Sequence, residues 1–290
     1  MTSCTRNILT ALSVAGALHT VAAQYDAPTY SGYTLLWSAD FSGTAGALPS
    51  TSNWNIRTGY LGVNDEWEEY TSSNANLQLS GGSTLQIVPW TNSATEYGWT
   101  SARIESVDSW TPASGVVTRV EAEIDFGTNA ASTKQGYWPA FWMLAESYRT
   151  GAETWPECGE LDILEMIDGV LTGYGTAHCG DDCNDDDDDE GLQSSIAVPN
   201  DSWHTWRLEW DRTSGNWETE TIKWYMDGEA FQTLTGSEFS EAVWTNLAHS
   251  PYYVILNLAV GGSWPGDPNS ATVDGYGAMM EIGYVAVYQS

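Results

Sequence analysis

Three carboxylates stand close together in the run ECGELDILEMIDG (Glu157–Gly169), at Glu160, Asp162 and Glu165. Like charges this close raise one another's pKa, so one group keeps its proton while a neighbour ionises. A carboxylic acid beside a carboxylate is what cleavage of a glycosidic bond requires. The plainer alternative is a solvated acidic patch. The offsets of zero, two and five bear on the choice. As a helix, Leu161, Leu164 and Ile167 would form an apolar stripe. As a strand, Glu160 and Asp162 share a face, and Glu165 joins them only if one extra residue intervenes. A β-bulge supplies that residue and is common beside active sites. Leu161 and Ile163 would then be buried behind the acids.

The rest of the chain favours the strand. Ser83–Trp90, Val116–Phe126, Tyr137–Leu144, His204–Asp211, Thr221–Gly228, Tyr252–Val260 and Glu281–Tyr288 are rich in β-branched and aromatic residues. Clusters of Gly, Ser, Asn and Asp separate them. Many short strands with turn signals predict an all-β sandwich, and few segments have a competing helical period. With Asp168 and Gly169 near a turn, an antiparallel return brings His178, in GTAHCG, opposite Glu160. The chain has 16 Trp and 15 Tyr but only 5 Phe. Trp and Tyr combine an apolar face with a polar edge. Sugar rings stack on such faces, so an excess this large suggests that several line a cleft.

Residues 1–23 have the pattern of a secretory leader: Arg6, a short apolar region, and small residues at Val21 and Ala23 before the cleavage point. Residues 24–290 are then a single domain, secreted and extracellular. The formal charge of −30 disfavours nucleic acid, anionic membranes and acidic polysaccharides, and fits a neutral substrate. Cys4 leaves with the leader, so Cys158, Cys179 and Cys183 remain, an odd number. Strand alternation puts Cys158 on the Glu160 face and turns Cys179 away from the His178 face, which favours a local Cys179–Cys183 disulfide. Asn200 opens the sequon NDS and is a candidate glycan acceptor. The tract Asp185–Glu190 reads as a solvated, self-repelling loop. Asp186, Asp188, Glu190 and Gly191 match the start of a calcium-loop pattern, but Ala197 stands where its closing Glu belongs.

Taken together, GELDILEMIDG, QGYWPAFWML before it, GTAHCG after it, ILNLAVGGSWPG and the closing YVAVY resemble glycoside hydrolase family 16, in its fungal laminarinase-like endo-1,3(4)-β-glucanase branch. The resemblance runs from Leu35 to the C-terminus. It implies a β-jelly-roll of two curved antiparallel sheets with an open concave cleft. It implies a retaining mechanism with Glu160 as nucleophile, Glu165 as general acid/base and Asp162 as the helper that tunes the nucleophile. It places His178 beside the carboxylates, and Trp138, Trp142 and Trp264 in or under the cleft. Asn64, Glu66 and Trp67 match the loop and strand that contact substrate on the glycone side. No cofactor is expected. Gly283 replaces an aspartate that helps relatives bind a structural calcium, and Ala39 departs from an acidic position, so no metal is expected either. The expected function is hydrolysis of β-1,3- or mixed-linkage β-glucan by a monomer. The alternatives are another neutral glycan such as β-1,3-galactan, transglycosylation, or a non-catalytic carbohydrate-binding wall protein.

Overall fold

Alternating burial is plainest in Val117–Asp125, where Thr118, Val120, Ala122 and Ile124 point inward and Arg119, Glu123 and Asp125 point outward. A strand with one apolar face must bury it against a second layer. The computed structural model, which describes residues 25–185 and 191–290, shows that layer. The expected leader (1–23) and most of the acidic tract (186–190) lie outside the described residues.

Two large antiparallel sheets face each other in a jelly-roll sandwich. The first has seven strands in the order Leu192–Ala197, Thr172–His178, Glu160–Glu165, Tyr137–Ala145, Tyr252–Val260, Arg103–Ser106 and Trp54–Arg57. The second runs Glu229–Thr235, Thr221–Met226, His204–Asp211, Val117–Asp125, Met280–Gln289, Leu85–Ile87 and Leu77–Leu79, with Thr34–Ala39 also paired to Met280–Gln289. A small third sheet joins Glu68–Tyr70, Trp99–Ser101 and Trp90–Thr91.

The expected strands appear with small changes of boundary. The run Ser83–Trp90 splits: Leu85–Ile87 stays in the second sheet and Trp90–Thr91 joins the third. Pro89 stands at the break, where it has no N–H to give a ladder. The nine-residue helix Glu241–His249 was not legible as a helix in the sequence. Ser240 caps it through Val243 N, and Trp244 and Leu247 anchor it in the core.

Large and small residues are matched across the sandwich. Thr172–His178 turns Gly173, Gly175 and Ala177 toward the core. A Cβ on Gly173 would lie 2.2 Å from the Trp206 ring, and one on Gly175 would lie 2.6 Å from Trp224. The two indoles therefore occupy the room that side chains there would need. On the outer face of the second sheet the segment before the first strand packs as a strap. Tyr30 Oη donates to both Glu121 oxygens at 2.9 and 3.0 Å, and Tyr284 Oη donates to the same carboxylate at 2.6 Å. Nearby, the Tyr25 ring lies over Gly283, where a Cβ would meet it at 2.8 Å. The residues here do not fit the calcium site that the resemblance implies. Gly283 has no side-chain oxygen, and an aromatic ring covers it. The neighbouring acids are engaged elsewhere: Asp125 accepts from Gly127 N, and Glu281 from Gln86 and Thr84.

Candidate active site

The acid-bearing strand is bulged. Against Tyr137–Ala145, Asp162 pairs with Trp142 and Leu164 with Phe141, so Ile163 has no partner of its own. Against Thr172–His178, Asp162 pairs with Thr176 and Glu165 with Tyr174, so Ile163 and Leu164 together oppose Gly175. One extra residue resets the alternation. Glu160, Asp162 and Glu165 thus share the outer face of the seven-stranded sheet, while Leu161, Ile163 and Leu164 are fully buried. The two flanking strands present His178, Thr176 and Tyr174 on one side and Trp142, Ala140 and Trp138 on the other.

The acids are sheltered rather than solvated. Asp162 is 3% exposed and Glu165 8%, while Glu160 is half-buried. Burial, and then the charge of Asp162, push the Glu160 carboxyl up to about 8. The same two causes hold Glu165 well above the usual carboxylate range, against a hydrogen bond of 2.9 Å from Trp138 Nε1 to its Oε1. Two carboxyl groups so placed do not both ionise at neutral pH.

His178 supplies the nearest basic group. It pairs with Glu160 across the ladder, its Nε2 lies 3.5 Å from Asp162 Oδ2, and its Nδ1 lies 2.7 Å from Asp185 Oδ1. Burial disfavours the imidazolium, but the contacts to Asp162 and Asp185 outweigh it and push the pKa up to about 11. The ring thus holds its proton more tightly than a free imidazole. Asp185 therefore departs from the solvated loop expected of the acidic tract, because its carboxylate is buried against His178. Trp155, also absent from the sequence reading, lies 5.6 Å from the imidazole between ring centres.

The remaining expected residues extend along the same face. Trp264 meets Trp138 edge-on at 5.6 Å and Tyr174 at 5.0 Å, beside Glu165. Trp142 Nε1 donates to Asn257 Oδ1 at 2.7 Å, and Arg103 lies over its ring. Asn257 in turn donates to Tyr70 Oη, which reaches Glu66 at 3.4 Å. Asn64 donates to Glu66 at 3.2 Å, and its backbone approaches Gly262 next to Trp138. Trp67 packs on Gly261, whose φ of 75° suits glycine, and whose missing Cβ leaves room for the indole. Tyr97 and Tyr60 continue from Trp67 as exposed rings. Asn257, Tyr70 and Tyr174 were missed. Asn257 stands in the apolar run Tyr252–Val260, where every residue is buried, and nothing in the local pattern around Tyr70 or Tyr174 marks a site.

Cys179 and Cys183 are joined by a disulfide with a Cα separation of 5.2 Å, and Cys158 is a buried free thiol. Asn200 is exposed, its Oδ1 accepting from Ser202 N in a local turn. Among the described residues, Glu160, Asp162 and His178 form a group that could converge on a cation.

A model of "Glycosyl hydrolases family 16" matches residues 62–284. Glucan endo-1,3-beta-glucosidase A1 of Niallia circulans is 30% identical over 286 residues, covering 90% of this chain and 39% of that protein. The chain thus spans well under half the length of that relative. Beta-glucanase of Rhodothermus marinus is 26% identical over 266 residues, covering 89% of this chain and 85% of the relative. Among solved structures, the endo-1,3-beta-glucanase from Streptomyces sioyaensis superposes with a TM-score of 0.83 at 36% identity, covering 91% of this chain and 99% of that one. No helix among the described residues is long and apolar enough to cross a membrane.

Proposed function

Because the chain belongs to glycosyl hydrolases family 16, we propose that it is an endo-acting β-glucanase that cuts β-1,3- or mixed-linkage β-glucan with retention of configuration. The observation that carries this reading is the bulge at Ile163, which sets Glu160, Asp162 and Glu165 on one sheltered face beside indole rings. The relatives named as glucanases support the substrate class. Placement in the fungal laminarinase-like branch rests on the quoted motifs alone, as the matching relatives are mostly bacterial.

The roles follow from the environments. Glu165, the more sheltered carboxyl, is the protonated acid. It gives its proton to the glycosidic oxygen as that bond breaks. The reactive form is the one in which Glu160, beside His178 and raised only to about 8, has lost its proton while Glu165 keeps its own. Glu160 attacks the anomeric carbon and forms a covalent glycosyl-enzyme. Glu165, now ionised, takes a proton from water, whose oxygen displaces Glu160 and restores the β-anomer. Asp162, between the two, opposes ionisation of both and steadies the nucleophile. Trp138 fixes Glu165 through its indole N–H, and Trp142, Trp264 and Trp67 offer ring faces to sugars. Asn64 and Glu66 contact the glycone side, and Asn200 carries a glycan away from the acids.

The strongly negative surface suits a neutral polymer and excludes nucleic acid and membrane as partners. The protein acts as a secreted monomer. Residues 24–290 are its catalytic domain and residues 1–23 its leader. The test is incubation with laminarin, lichenan, β-1,3-galactan and cellulose, followed by product identification and early-time proton NMR. Oligosaccharides from laminarin or lichenan with a first-formed β-anomer are expected. Cleavage of galactan alone, glycosyl transfer without net hydrolysis, or binding without products would each replace this reading with a different one.

A further inference from the structure

Asp185 has an environment that a solvated acidic tract does not explain. Its side chain is fully buried. One oxygen, Oδ1, faces His178 Nδ1 at 2.7 Å, and the other accepts from Cys179 N at 2.7 Å and Gly180 N at 2.8 Å. The Cys179–Cys183 disulfide closes the turn that offers those amides. A carboxylate gains nothing by leaving water unless partners occupy both oxygens. Here they do, and the partner other than backbone is the ring beside the catalytic acids. Gly191, at the far end of the tract, also touches that ring. A Cβ there would lie 2.8 Å from His178 Cε1. Trp155 packs against the same imidazole.

With Nδ1 committed to Asp185, the ring's other N–H is aimed at Asp162 Oδ2, which has no hydrogen-bond partner of its own. The charged groups facing the imidazole are Asp162 and Glu160 from the acid strand and Asp185 from the turn, with Glu165 beyond them. We infer that Asp185 is a positioning residue of the active site, holding the His178 ring against Asp162 and so fixing the positive charge beside the Glu160 carboxylate. This rests on the hydrolase reading above and adds a residue to it. The contacts of Asp185 are to the His178 ring and to the amides of Cys179 and Gly180. Asp185 acts through His178, as carboxylates behind metal-bound histidines do.

The experiment uses the full chain and two independent readouts. Nitrogen-15 NMR of His178 in the native protein should show both ring nitrogens protonated throughout pH 5–8, in keeping with a pKa of about 11. In Asp185→Asn the ring should titrate at least about 2 pH units lower. The kcat of that variant on the cleaved glucan should fall about tenfold or more, with KM changed by less than about twofold. Its kcat/KM should gain a step in pH that coincides with the His178 titration and is absent from the native enzyme. A loop anchor alone would lower stability without adding that step. Native His178 titrating near the ordinary histidine value would overturn the inference, and so would an unchanged pH profile in a folded Asp185→Asn. If that variant fails to fold, the native spectrum decides. If no glucan is cleaved by the native protein, the hydrolase reading fails, while the NMR titration still decides whether Asp185 holds His178.

Discussion

Trp224 reaches across the sandwich and donates its indole N–H to the backbone carbonyl of Asp162 at 2.7 Å. The ladder to Thr172–His178 is interrupted just after Asp162, where the bulge begins. A carbonyl beside such a break needs a partner in a dry interior. Trp224 is fully buried and sits under Gly175, whose missing side chain admits it. The opposite sheet thus pins the backbone of the strand that carries the acids. Trp224→Phe keeps most of the apolar volume and removes the donor. It should destabilise by about 1–3 kcal/mol and lower kcat more than it raises KM. Denaturant titration and steady-state kinetics check both. Unchanged stability would mean that the carbonyl finds another partner.

Glu160→Gln should fold normally and lose nearly all turnover, because the amide cannot form the glycosyl-enzyme. Circular dichroism and a reducing-sugar assay measure the two sides. A folded variant that loses less than about tenfold would take Glu160 out of the nucleophile role.

Glu165→Ala should cripple cleavage of polymer and spare aryl glycosides with acidic phenols, since a good leaving group needs little proton donation. The loss should be larger on polymer by about 100-fold, the lower end of what general acid catalysis contributes. Equal losses on both substrate types would move the acid role elsewhere.

Stability should fall as pH rises from 5 to 9. Burial and Asp162 raise Glu160 from 4.5 to about 8, and Asp162 and Asp185 outweigh burial to raise His178 from 6.5 to about 11. In both cases the folded protein binds protons that the unfolded chain has released, so the unfolding free energy decreases with pH. The Glu160 contribution is complete below 4.5 and is lost as pH rises through about 8. The His178 contribution is complete below 6.5 and is lost toward about 11. Each kcal/mol corresponds to a Tm change on the order of 2–4 °C in a chain of this size. Calorimetry across that range should show a falling Tm, with a shallower slope in Glu160→Gln. A rising Tm would show that these protons are not held.

Chelation should leave Tm nearly unchanged. The Tyr25 ring covers Gly283, the position for which the family resemblance implies a calcium-binding carboxylate, and Asp125 and Glu281 already have partners. A tightly held calcium ion would stabilise by roughly 3–4 kcal/mol at a hundred- to thousand-fold excess over its Kd. Melting scans with and without EDTA decide this, and a drop of several degrees would locate an ion held by other ligands.

The sequence by itself determined the period-two runs, and with them the all-β sandwich, because alternation is local and repeats along each strand. His204–Asp211 and Tyr252–Val260 have the bounds read from their residues alone. It also determined that Glu165 could join Glu160 and Asp162 only through one added residue, since an offset of five is odd. Tertiary structure decided that the added residue lies at Ile163, because a bulge is defined by the strands on either side. It decided that Asp185 leaves the acidic run for His178, which no composition could reveal among five consecutive aspartates. It likewise decided that Trp224 supports Asp162 from 62 residues away, in the other sheet. These contacts depend on how two sheets close over one another, and a pairwise contact between distant residues leaves no periodicity in the chain that makes it.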